Sequence, residues 1–358
     1  MPLCEAAWRF LLNFRYSFRP RKPALVARLA KAVLAAKVFK RRRLRYVDFA
    51  VDFACNLRCE HCFADALRQG GRRTMEPADY ARVAEQAMRL GAVNFSFQGG
   101  EPLLYPRLAE VIAACRPDRN VISVTTNGTL LTAERVAELR RWGVDILTVS
   151  LDSSIPEEHD VFRGQPGSLA AALEGIAHAR KAGIHVTIGT VITHQNLHSN
   201  GIRGLMEFAI RNRLILYFIF PVQIGRWADA RHVALTPEDI RYVEEQTRRS
   251  PYLRTDFQAN LGPYGCGAAK EILYLTPYGD VLVCPFIHIS FGNIFDEDLA
   301  AIRQRALRVP QFAVYHPKCL ASTDTDFVGR YISKTFHAAN LPVPWHEVFG
   351  PDELEGGS

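Results

Sequence analysis

Three cysteines fall within eight residues, in the run Cys55-Asn-Leu-Arg-Cys59-Glu-His-Cys62. The run follows a strand-like segment, 46–54, so the three thiols are expected to lie together where that strand ends. Three thiolates can hold an iron–sulfur cluster that normally takes four protein ligands, which leaves one iron open to a substrate or cofactor. A disulfide is disfavoured by the odd number and by the lack of a secretory signal. Structural zinc is disfavoured because no fourth ligand lies within the run.

The other cysteines are also distributed more like metal ligands than like disulfide partners. Cys266, Cys284 and Cys319 form a looser C-terminal set, whereas Cys4 and Cys115 stand alone. This grouping suits metal ligation in a reducing cytoplasm, so we expect a cytoplasmic protein. Cys115 ends an apolar helical stretch and is expected to be a small buried hydrophobic residue. With 358 residues, 48% of them apolar, the chain can build one large or two medium domains.

Positive charge is concentrated at the N-terminus. Residues 1–46 hold thirteen Lys and Arg against one acid, although the net charge of the whole chain is only +7. Apolar residues near helical spacing in 24–46 predict a basic amphipathic helix within an N-terminal arm. Three interpretations remain open: a helix packed on the core with a solvated basic face, a helix lying peripherally on an anionic membrane, or contact with an acidic partner or nucleic acid. No apolar run could span a bilayer, and specific nucleic-acid binding is not expected from a basic run alone.

From residue 46 onward the chain alternates between strand-like and helical segments. Six predicted strands with five helical stretches between them predict a parallel sheet covered by helices. The predicted strands are 46–54, 93–98, 121–126, 145–150, 184–190 and 214–221. The predicted helices lie near 77–90, 106–115, 133–142, 168–182 and 200–212.

Polar and glycine residues follow several of these strands at the point where each strand ends. Ligand sites of parallel α/β folds lie at the carboxyl ends of the strands, so these residues should share one rim. Paired glycines let backbone approach a ligand, and a glutamate beside them can accept a hydrogen bond from an amino group. An Asn-Gly pair is also an ordinary turn. The residues are Gly99, Gly100, Glu101 and Pro102, then Thr126 and Asn127, then Ser150 and Asp152.

The cysteine run, with His61 before its third cysteine, and the GGEP run at 99–102 together resemble the signature of the radical S-adenosylmethionine (radical SAM) family. The resemblance implies a partial (βα)6 barrel of the TIM type. It also implies a [4Fe–4S] cluster on Cys55, Cys59 and Cys62, whose open iron binds S-adenosylmethionine and delivers the electron that releases a 5′-deoxyadenosyl radical.

The same resemblance assigns cofactor contacts to further positions. The GGEP run would hold the amino group of S-adenosylmethionine, and the run His159–Gly164 resembles one whose Arg, here Arg163, pairs with the carboxylate. A plain surface role for Arg163 is the alternative. The implied cofactor-binding residues are His61, Gly99, Gly100, Glu101, Pro102, Thr126, Asn127, Ser150, Asp152, Arg163 and Thr190.

The C-terminal cysteines carry a second resemblance. Cys266, Gly279 and Cys284 have a C-x12-G-x4-C spacing like the opening of the SPASM/Twitch domain, an α+β unit that binds an auxiliary iron–sulfur cluster. Short strands at 272–276 and 280–284 around a Pro-Tyr-Gly turn predict a hairpin there. The resemblance implies one cluster on Cys266, Cys284 and Cys319, because too few cysteines remain for two.

The fourth ligand of this auxiliary cluster is open at this stage. The candidates are His316, Asp324, Asp326, a stray cysteine, water, or the substrate itself. The alternative is three unrelated cysteines on a hairpin that binds no metal.

The combined prediction is an enzyme in four segments: a basic arm (1–45), the barrel (46–225), the auxiliary-cluster domain (226–340) and a tail (341–358). We expect it to cleave S-adenosylmethionine reductively and abstract hydrogen from a small-molecule or lipid substrate, since residues 1–45 are too few for the usual peptide-leader-binding domain. Peptide modification is the runner-up, and a non-catalytic iron–sulfur electron carrier is the least favoured interpretation. An external electron donor of the flavodoxin or ferredoxin type is expected as a partner.

Overall fold

Alternating parallel strands and helices build the first two thirds of the protein, as the sequence predicts. The computed structural model describes residues 12, 19, 22–38, 43–260, 263–350 and 353. The strands are β1 (Tyr46–Asp52), β2 (Asn94–Gly99), β3 (Val121–Thr126), β4 (Ile146–Ser150), β5 (His185–Val191), β6 (Ile215–Ile219) and β7 (Leu253–Thr255). The helices are α1 (Pro23–Lys37), α2 (Pro77–Leu90), α3 (Leu108–Ala114), α4 (Ala133–Arg141), α5 (Pro156–Arg163), α6 (Ser168–Lys181), α7 (Asn200–Asn212) and α8 (Pro237–Arg249).

Helix limits follow from local signals in the sequence. Helix α2 begins at a capping box between Glu76 and Asp79 and ends at Gly91, whose φ of 113° suits a residue without a side chain. A second capping box, between Thr236 and Asp239, begins α8. Such caps satisfy the backbone N–H groups that the first turn of a helix leaves free.

The α/β pattern continues beyond the predicted end of the barrel at residue 225. Strands β1 to β6 pair in parallel and in chain order, and β7, reached through α8, pairs in parallel with β6. Sequence reasoning missed β7 because it has only three residues and includes the buried Arg254, so it shows no apolar alternation. The limits of the four predicted segments stay predictions.

The C-terminal part extends the same sheet rather than forming a separate one. It contains β8 (Ile272–Leu275), β9 (Asp280–Leu282), β10 (Ile289–Asn293), α9 (Leu299–Ala306), α10 (Pro310–Ala313), α11 (Thr325–Arg330), β11 (Val343–Pro344) and α12 (Trp345–Val348). The predicted hairpin is the antiparallel pair β8–β9. Strand β8 pairs in parallel with β1, so the strand order runs β11-β10-β9-β8-β1-β2-β3-β4-β5-β6-β7.

One face of the barrel strands packs against the helices and is strongly apolar. Phe49 of β1 contacts Tyr80 of α2, with ring centroids 5.0 Å apart, and stacks beside Phe95 and Phe97 of β2. All four rings are buried. Cys115 lies in the same core, fully buried, as predicted.

The N-terminal arm lies beneath the barrel, across the amino ends of its strands. Lys22 Nζ is 2.5 Å from the Asp145 carboxylate before β4 and 3.2 Å from the Asn120 carbonyl before β3. Arg28 donates to the Arg119 carbonyl at 2.9 Å. Leu12 packs against Ile215 at the start of β6. The described part of the arm therefore packs on the barrel, which agrees with the first of the three interpretations. Lys22 and Arg28, however, face the barrel and not the solvent.

The outer surface of α1 and the residue that follows it carry exposed apolar side chains beside the exposed Lys31. Val33, Leu34 and Val38 are 41%, 51% and 62% exposed. None of the helices in the described ranges is both long and apolar enough to cross a membrane. Peripheral membrane contact through 24–46 stays a prediction. Cys4 and the basic residues 40–42 lie outside the described residues.

Candidate active site

The cysteine run forms a loop directly after β1, at the carboxyl end of the sheet. Cys55 is exposed, Cys59 and Cys62 are half-buried, and all three are free thiols. Burial, together with the nearby Glu101 carboxylate and the other two thiols, raises the pKa of Cys55 to about 11. The carbonyl of Cys62 accepts a hydrogen bond from the backbone N–H of Arg226 at 3.1 Å, which fixes the loop from its far side.

A cavity of about 190 Å³ lies between this loop and the strand ends. All three thiol-bearing residues line it, together with residues from the ends of β2 to β6. The predicted cofactor-binding residues that line this cavity are His61, Gly99, Gly100, Thr126, Asn127, Ser150 and Arg163. The structure thus brings most of the predicted set to one place.

The glycine pair packs tightly against the end of β1. Gly99 has a φ of 134°, and a Cβ at this position would lie 2.1 Å from the Asp52 carbonyl oxygen. Gly100 donates its backbone N–H to the same oxygen at 2.8 Å. Only glycine fits this contact, which holds the loop after β2 against the cysteine loop.

Glu101 lies behind the cavity rather than in its wall. Its side chain is 1% exposed, and one carboxylate oxygen accepts from Thr126 Oγ1 at 2.7 Å and from the Leu103 N–H at 3.1 Å. The other oxygen accepts from the Asn127 N–H at 2.8 Å. Burial raises the pKa of Glu101 to about 7. Glu101 therefore joins the loops after β2 and β3, and direct contact of Glu101 or Pro102 with the cofactor stays a prediction.

Asp152 and Arg163 form a buried ion pair beside the cysteines. Arg163 Nε donates to Asp152 Oδ2 at 2.6 Å, and its Nη1 is 3.7 Å from Cys59 Sγ. Asp152 Oδ1 accepts from the Val191 N–H at 2.8 Å. Burial opposes ionisation of Asp152, but Arg163 holds the pKa of its carboxyl below the usual value. Asp152 does not line the cavity, so it acts here by holding Arg163 in place.

His61 and Thr190 have buried polar atoms without a hydrogen-bond partner among the described residues: Nδ1 of His61 and Oγ1 of Thr190. His61 stacks on Phe162 with ring centroids 4.5 Å apart, and burial lowers the pKa of His61 to about 3. Thr190 pairs in register with Phe218, on the helix-covered face of the sheet, so its side chain does not line the cavity. Its neighbours Gly189 and Val191 do, because successive residues of a strand alternate between faces.

The inner face of the barrel is polar directly below the cavity, which sequence reasoning missed. Each of strands β1 to β6 has a polar residue on its inner face, and on β2 to β6 it stands two positions along the chain before a residue that lines the cavity. The cavity-lining residues above them are Gln98, Thr125, Ser150, Gly189 and Ile219. The polar layer consists of Asp48, Ser96, Ser123, Thr148, Thr187 and Tyr217. Alternation of polar and apolar residues within each predicted strand was the signal that could have revealed it.

Asp48 is the acid of this layer. It is 6% exposed, shares its face with Ser96 and Tyr274 in the strand register, and has a pKa that burial raises to about 7. The buried hydroxyl of Tyr274 makes no hydrogen bond to any described residue. Arg254 of β7 pairs in register with Tyr217 at the far side of the layer.

The three C-terminal cysteines converge beside β8. Cys266 donates its N–H to the His316 carbonyl at 2.7 Å, and Cys319 donates its N–H to Thr323 Oγ1 at 2.9 Å. Burial raises the pKa of Cys284 and Cys319, and the nearby Cys266 thiol raises both further. No three His, Cys, Asp or Glu side chains in the described part of the chain are close enough to share a single metal ion.

Two regions of the chain match models of known protein families. The family model of the radical SAM superfamily matches residues 53–203, and that of the SPASM iron–sulfur cluster-binding domain matches 266–321. The chain thus contains a radical SAM domain followed by a SPASM domain. Its enzymatic nature and the predicted α/β fold are thereby confirmed, and its predicted cofactors are those of these two domains: a [4Fe–4S] cluster with S-adenosylmethionine, and an auxiliary iron–sulfur cluster.

Several radical SAM proteins resemble this chain along most of its length. An AdoMet-dependent heme synthase of Nitratidesulfovibrio vulgaris is 24% identical over 77% of this chain and 83% of its own length. The antilisterial bacteriocin subtilosin biosynthesis protein AlbA of Bacillus subtilis is 25% identical over 72% of this chain and 59% of its own. The structure of SuiB from Streptococcus suis bound to its precursor peptide SuiA matches with a TM-score of 0.59 at 19% identity, over 76% of this chain and 68% of SuiB.

The residues of this radical SAM chain fit the implied cofactors. Three free thiols border one cavity, a glycine pair allows close backbone approach, and His61, whose buried Nδ1 has no hydrogen-bond partner among the described residues, lines that cavity. Soft thiolates are the ligands that iron–sulfur clusters prefer. The roles of individual residues in binding stay predictions.

Proposed function

We propose that this radical SAM enzyme acts on a peptide or protein substrate. The polar layer beneath the cavity carries the proposal, because hydroxyl groups and the buried acid Asp48 suit the N–H and C=O groups of a peptide backbone. The similarities to a bacteriocin biosynthesis protein and to a protein crystallised with its precursor peptide support the same substrate class. The sequence alone favours a small-molecule or lipid substrate and places a peptide second, and this proposal reverses that order.

When bound, the cluster and S-adenosylmethionine supply a 5′-deoxyadenosyl radical that can remove a hydrogen atom from a substrate C–H bond. Arg163, held by Asp152, provides a fixed positive charge for a carboxylate beside Cys59. His61, neutral and stacked on Phe162, closes the wall between the cysteine loop and α5, which helps exclude water. An external flavodoxin or ferredoxin as electron source stays a prediction.

A tetrapyrrole is the second candidate substrate, favoured by the similarity to the heme synthase over 77% of this chain. The carboxylates of a tetrapyrrole bound in the cavity would lie above the buried acid Asp48, which is unfavourable unless the acid is protonated. The polar layer therefore argues for the peptide. A lipid substrate receives no support from this layer.

The deciding experiment compares substrate classes on the anaerobically reconstituted enzyme. Synthetic peptides encoded by short reading frames beside its gene, and iron-coproporphyrin III, are added separately with S-adenosylmethionine and dithionite. We expect a peptide, and not the porphyrin, to increase 5′-deoxyadenosine formation and to emerge with a changed mass.

A Cys55→Ala variant is the control and should form no 5′-deoxyadenosine with either compound. Decarboxylation of the porphyrin without any peptide product would overturn the peptide proposal. Persistent 5′-deoxyadenosine formation by the Cys55→Ala variant would overturn the role given to the cysteine run.

A further inference from the structure

A short turn, Gly225–Trp227, follows β6 and packs directly against the cysteine loop. Gly225 approaches the loop so closely that a Cβ on it would lie 2.3 Å from the Cys62 carbonyl oxygen. The buried Trp227 lies against His61, with ring centroids 5.7 Å apart. These two contacts hold the residue between them at a fixed place beside the loop.

That residue, Arg226, is bonded to the cysteine loop at three points. Its backbone N–H donates to the Cys62 carbonyl at 3.1 Å, and its Nη1 donates to the Cys59 carbonyl at 3.2 Å. Its Nε lies 3.1 Å from a carboxylate oxygen of Asp65, three residues beyond the last cysteine. The backbone bond does not depend on the side chain, so only the contacts with Cys59 and Asp65 belong to the guanidinium.

Cys59 is therefore approached by two guanidinium groups. Arg163 Nη1 lies 3.7 Å from the Cys59 sulfur, whereas Arg226 Nη1 lies 3.2 Å from the Cys59 carbonyl oxygen, and both arginines line the active-site cavity. Arg163 is buried with Asp152, but the side chains of Arg226 and Asp65 are 34% and 50% exposed. The charge of Arg226 is thus the one that a substitution can remove without leaving a buried acid unpaired.

Charges and hydrogen bonds around the ligands of an iron–sulfur cluster tune its reduction potential. A positive charge beside the first cluster, the one predicted on Cys55, Cys59 and Cys62, favours the reduced form, because reduction adds a negative charge. A carboxylate has the opposite effect. Arg226 and Asp65 therefore act on the first cluster with opposite signs.

We propose that Arg226 is a positioning residue of the first cluster, whose guanidinium fixes the cysteine loop at Cys59 and raises the midpoint potential of the cluster. The residue acts through the loop that carries the thiolates. The inference concerns the cluster site alone, so it holds for a peptide and for a tetrapyrrole substrate alike.

The test compares wild type with three variants of the full chain and one control: Arg226→Gln, Arg226→Lys, Asp65→Asn, and the control Arg231→Gln. Arg231 is exposed and begins the next turn, Arg231–Val233. Each protein is reconstituted anaerobically with iron and sulfide, and its iron content and midpoint potential are measured, the latter by electron paramagnetic resonance. The signal that changes on addition of S-adenosylmethionine identifies the first cluster. In the apoproteins, mass spectrometry follows the rate at which iodoacetamide alkylates Cys59.

The two charge-removing variants should shift the potential in opposite directions. Arg226→Gln should make it more negative, because the positive charge is lost and the Asp65 carboxylate remains. Asp65→Asn should make it more positive, since Arg226 then keeps its charge without the carboxylate beside it. Arg226→Lys keeps the charge but not the planar fork, so its potential should stay near that of wild type.

Alkylation of Cys59 reports on the loop itself. It should be on the order of tenfold faster in the Arg226→Gln apoprotein than in wild type, the factor that corresponds to loss of one hydrogen bond from a charged donor. Arg231→Gln should match wild type in every measurement.

Equal potentials in wild type and Arg226→Gln would overturn the inference. So would shifts of Arg226→Gln and Asp65→Asn in the same direction, because these would indicate general disturbance of the loop and not an effect of charge. If Arg226→Gln binds no iron, retention of iron by Arg226→Lys together with a positive shift in Asp65→Asn supports the inference, and loss of iron from Arg226→Lys overturns it. None of these measurements uses a substrate, so failure of this inference is distinguishable from failure of the proposed function.

Discussion

At the scale of single residues, Glu101 shows how a predicted ligand can instead organise the site. Its carboxylate accepts three hydrogen bonds, from Leu103, Thr126 and Asn127, and so fixes the loop after β3 relative to the glycine pair. Buried charge-assisted bonds of this kind are costly to lose because the partner groups are left unsatisfied.

Glu101→Gln should weaken S-adenosylmethionine binding by about tenfold, or about 1.4 kcal/mol, because the amide NH₂ of Gln faces a donor where the carboxylate offered an acceptor. Equilibrium binding to the reconstituted enzyme measures this. The exposed Glu110→Gln serves as control. Unchanged affinity in Glu101→Gln would contradict the organising role.

Asp48 gives the fold a pH dependence. Its pKa is about 7 in the folded protein against an ordinary value of 3.8 for an aspartate side chain, so the folded state binds the proton more tightly. Stability contributed by this group is therefore full below about pH 4 and is lost as pH rises toward 7 and above. Asp48→Asn should raise the free energy of unfolding of the apoprotein at pH 8 by on the order of 2 kcal/mol, with little change at pH 4.

Urea unfolding at both pH values checks this, with the exposed Asp296→Asn as control. Equal effects of Asp48→Asn at pH 4 and pH 8 would contradict the assignment of the titrating group.

At the scale of elements, periodicity placed six strands and five helices nearly where the structure has them, because each is long enough to show its period. Helix α5 is not among the predicted helices, since its sequence is noted only for the motif around Arg163, and β7 is not predicted because it is short and includes the charged Arg254. The cysteine loop was predictable from spacing alone. The pairing of Glu101 with Thr126 and Asn127 was not, since it depends on how two loops approach one another in space.

The arm beneath the barrel contributes to stability through Lys22. Its ammonium group bonds the Asn120 and Gly143 carbonyls and the Asp145 carboxylate, which also accepts from the Ile122 N–H of β3. Lys22→Met should lower the free energy of unfolding by about 2 kcal/mol, because the buried acid Asp145 would keep Arg19 as its only cation among the described residues.

Chemical unfolding of the variant, compared with Lys31→Met on the exposed side of α1, measures this effect. Equal stability of the two variants would show that the arm is not part of the folded unit.

The outer surface of α1 leads to a prediction about membranes. Exposed Val33, Leu34 and Val38 could enter the headgroup region of an anionic bilayer while neighbouring bases contact the lipid phosphates. We expect wild type to float with vesicles containing anionic phospholipid and a Leu34→Glu variant to remain at the bottom of the gradient. Failure of wild type to float would remove membrane contact from consideration.

At the scale of the whole molecule, one sheet joins the radical SAM barrel to the auxiliary-cluster domain. Strand β8 pairs with β1, and Arg45 before β1 is bonded to Glu271 before β8, 226 residues later in the chain. Sequence reasoning recognised both domains but not this junction, because pairing between distant segments leaves no period in the sequence. The join fixes the separation of the two cluster sites through a continuous set of backbone hydrogen bonds.

The β1–β8 junction also has a consequence for biosynthesis. A chain growing on the ribosome completes β1 long before β8 exists, so one edge of β1 carries unpaired N–H and C=O groups during most of translation. Contacts of such long sequence separation form slowly, and a nascent barrel with a bare edge is prone to associate with others. Release of a chain truncated near residue 225 should therefore yield aggregated protein, and the full-length protein should depend on chaperones that shield that edge until the last third of the chain emerges.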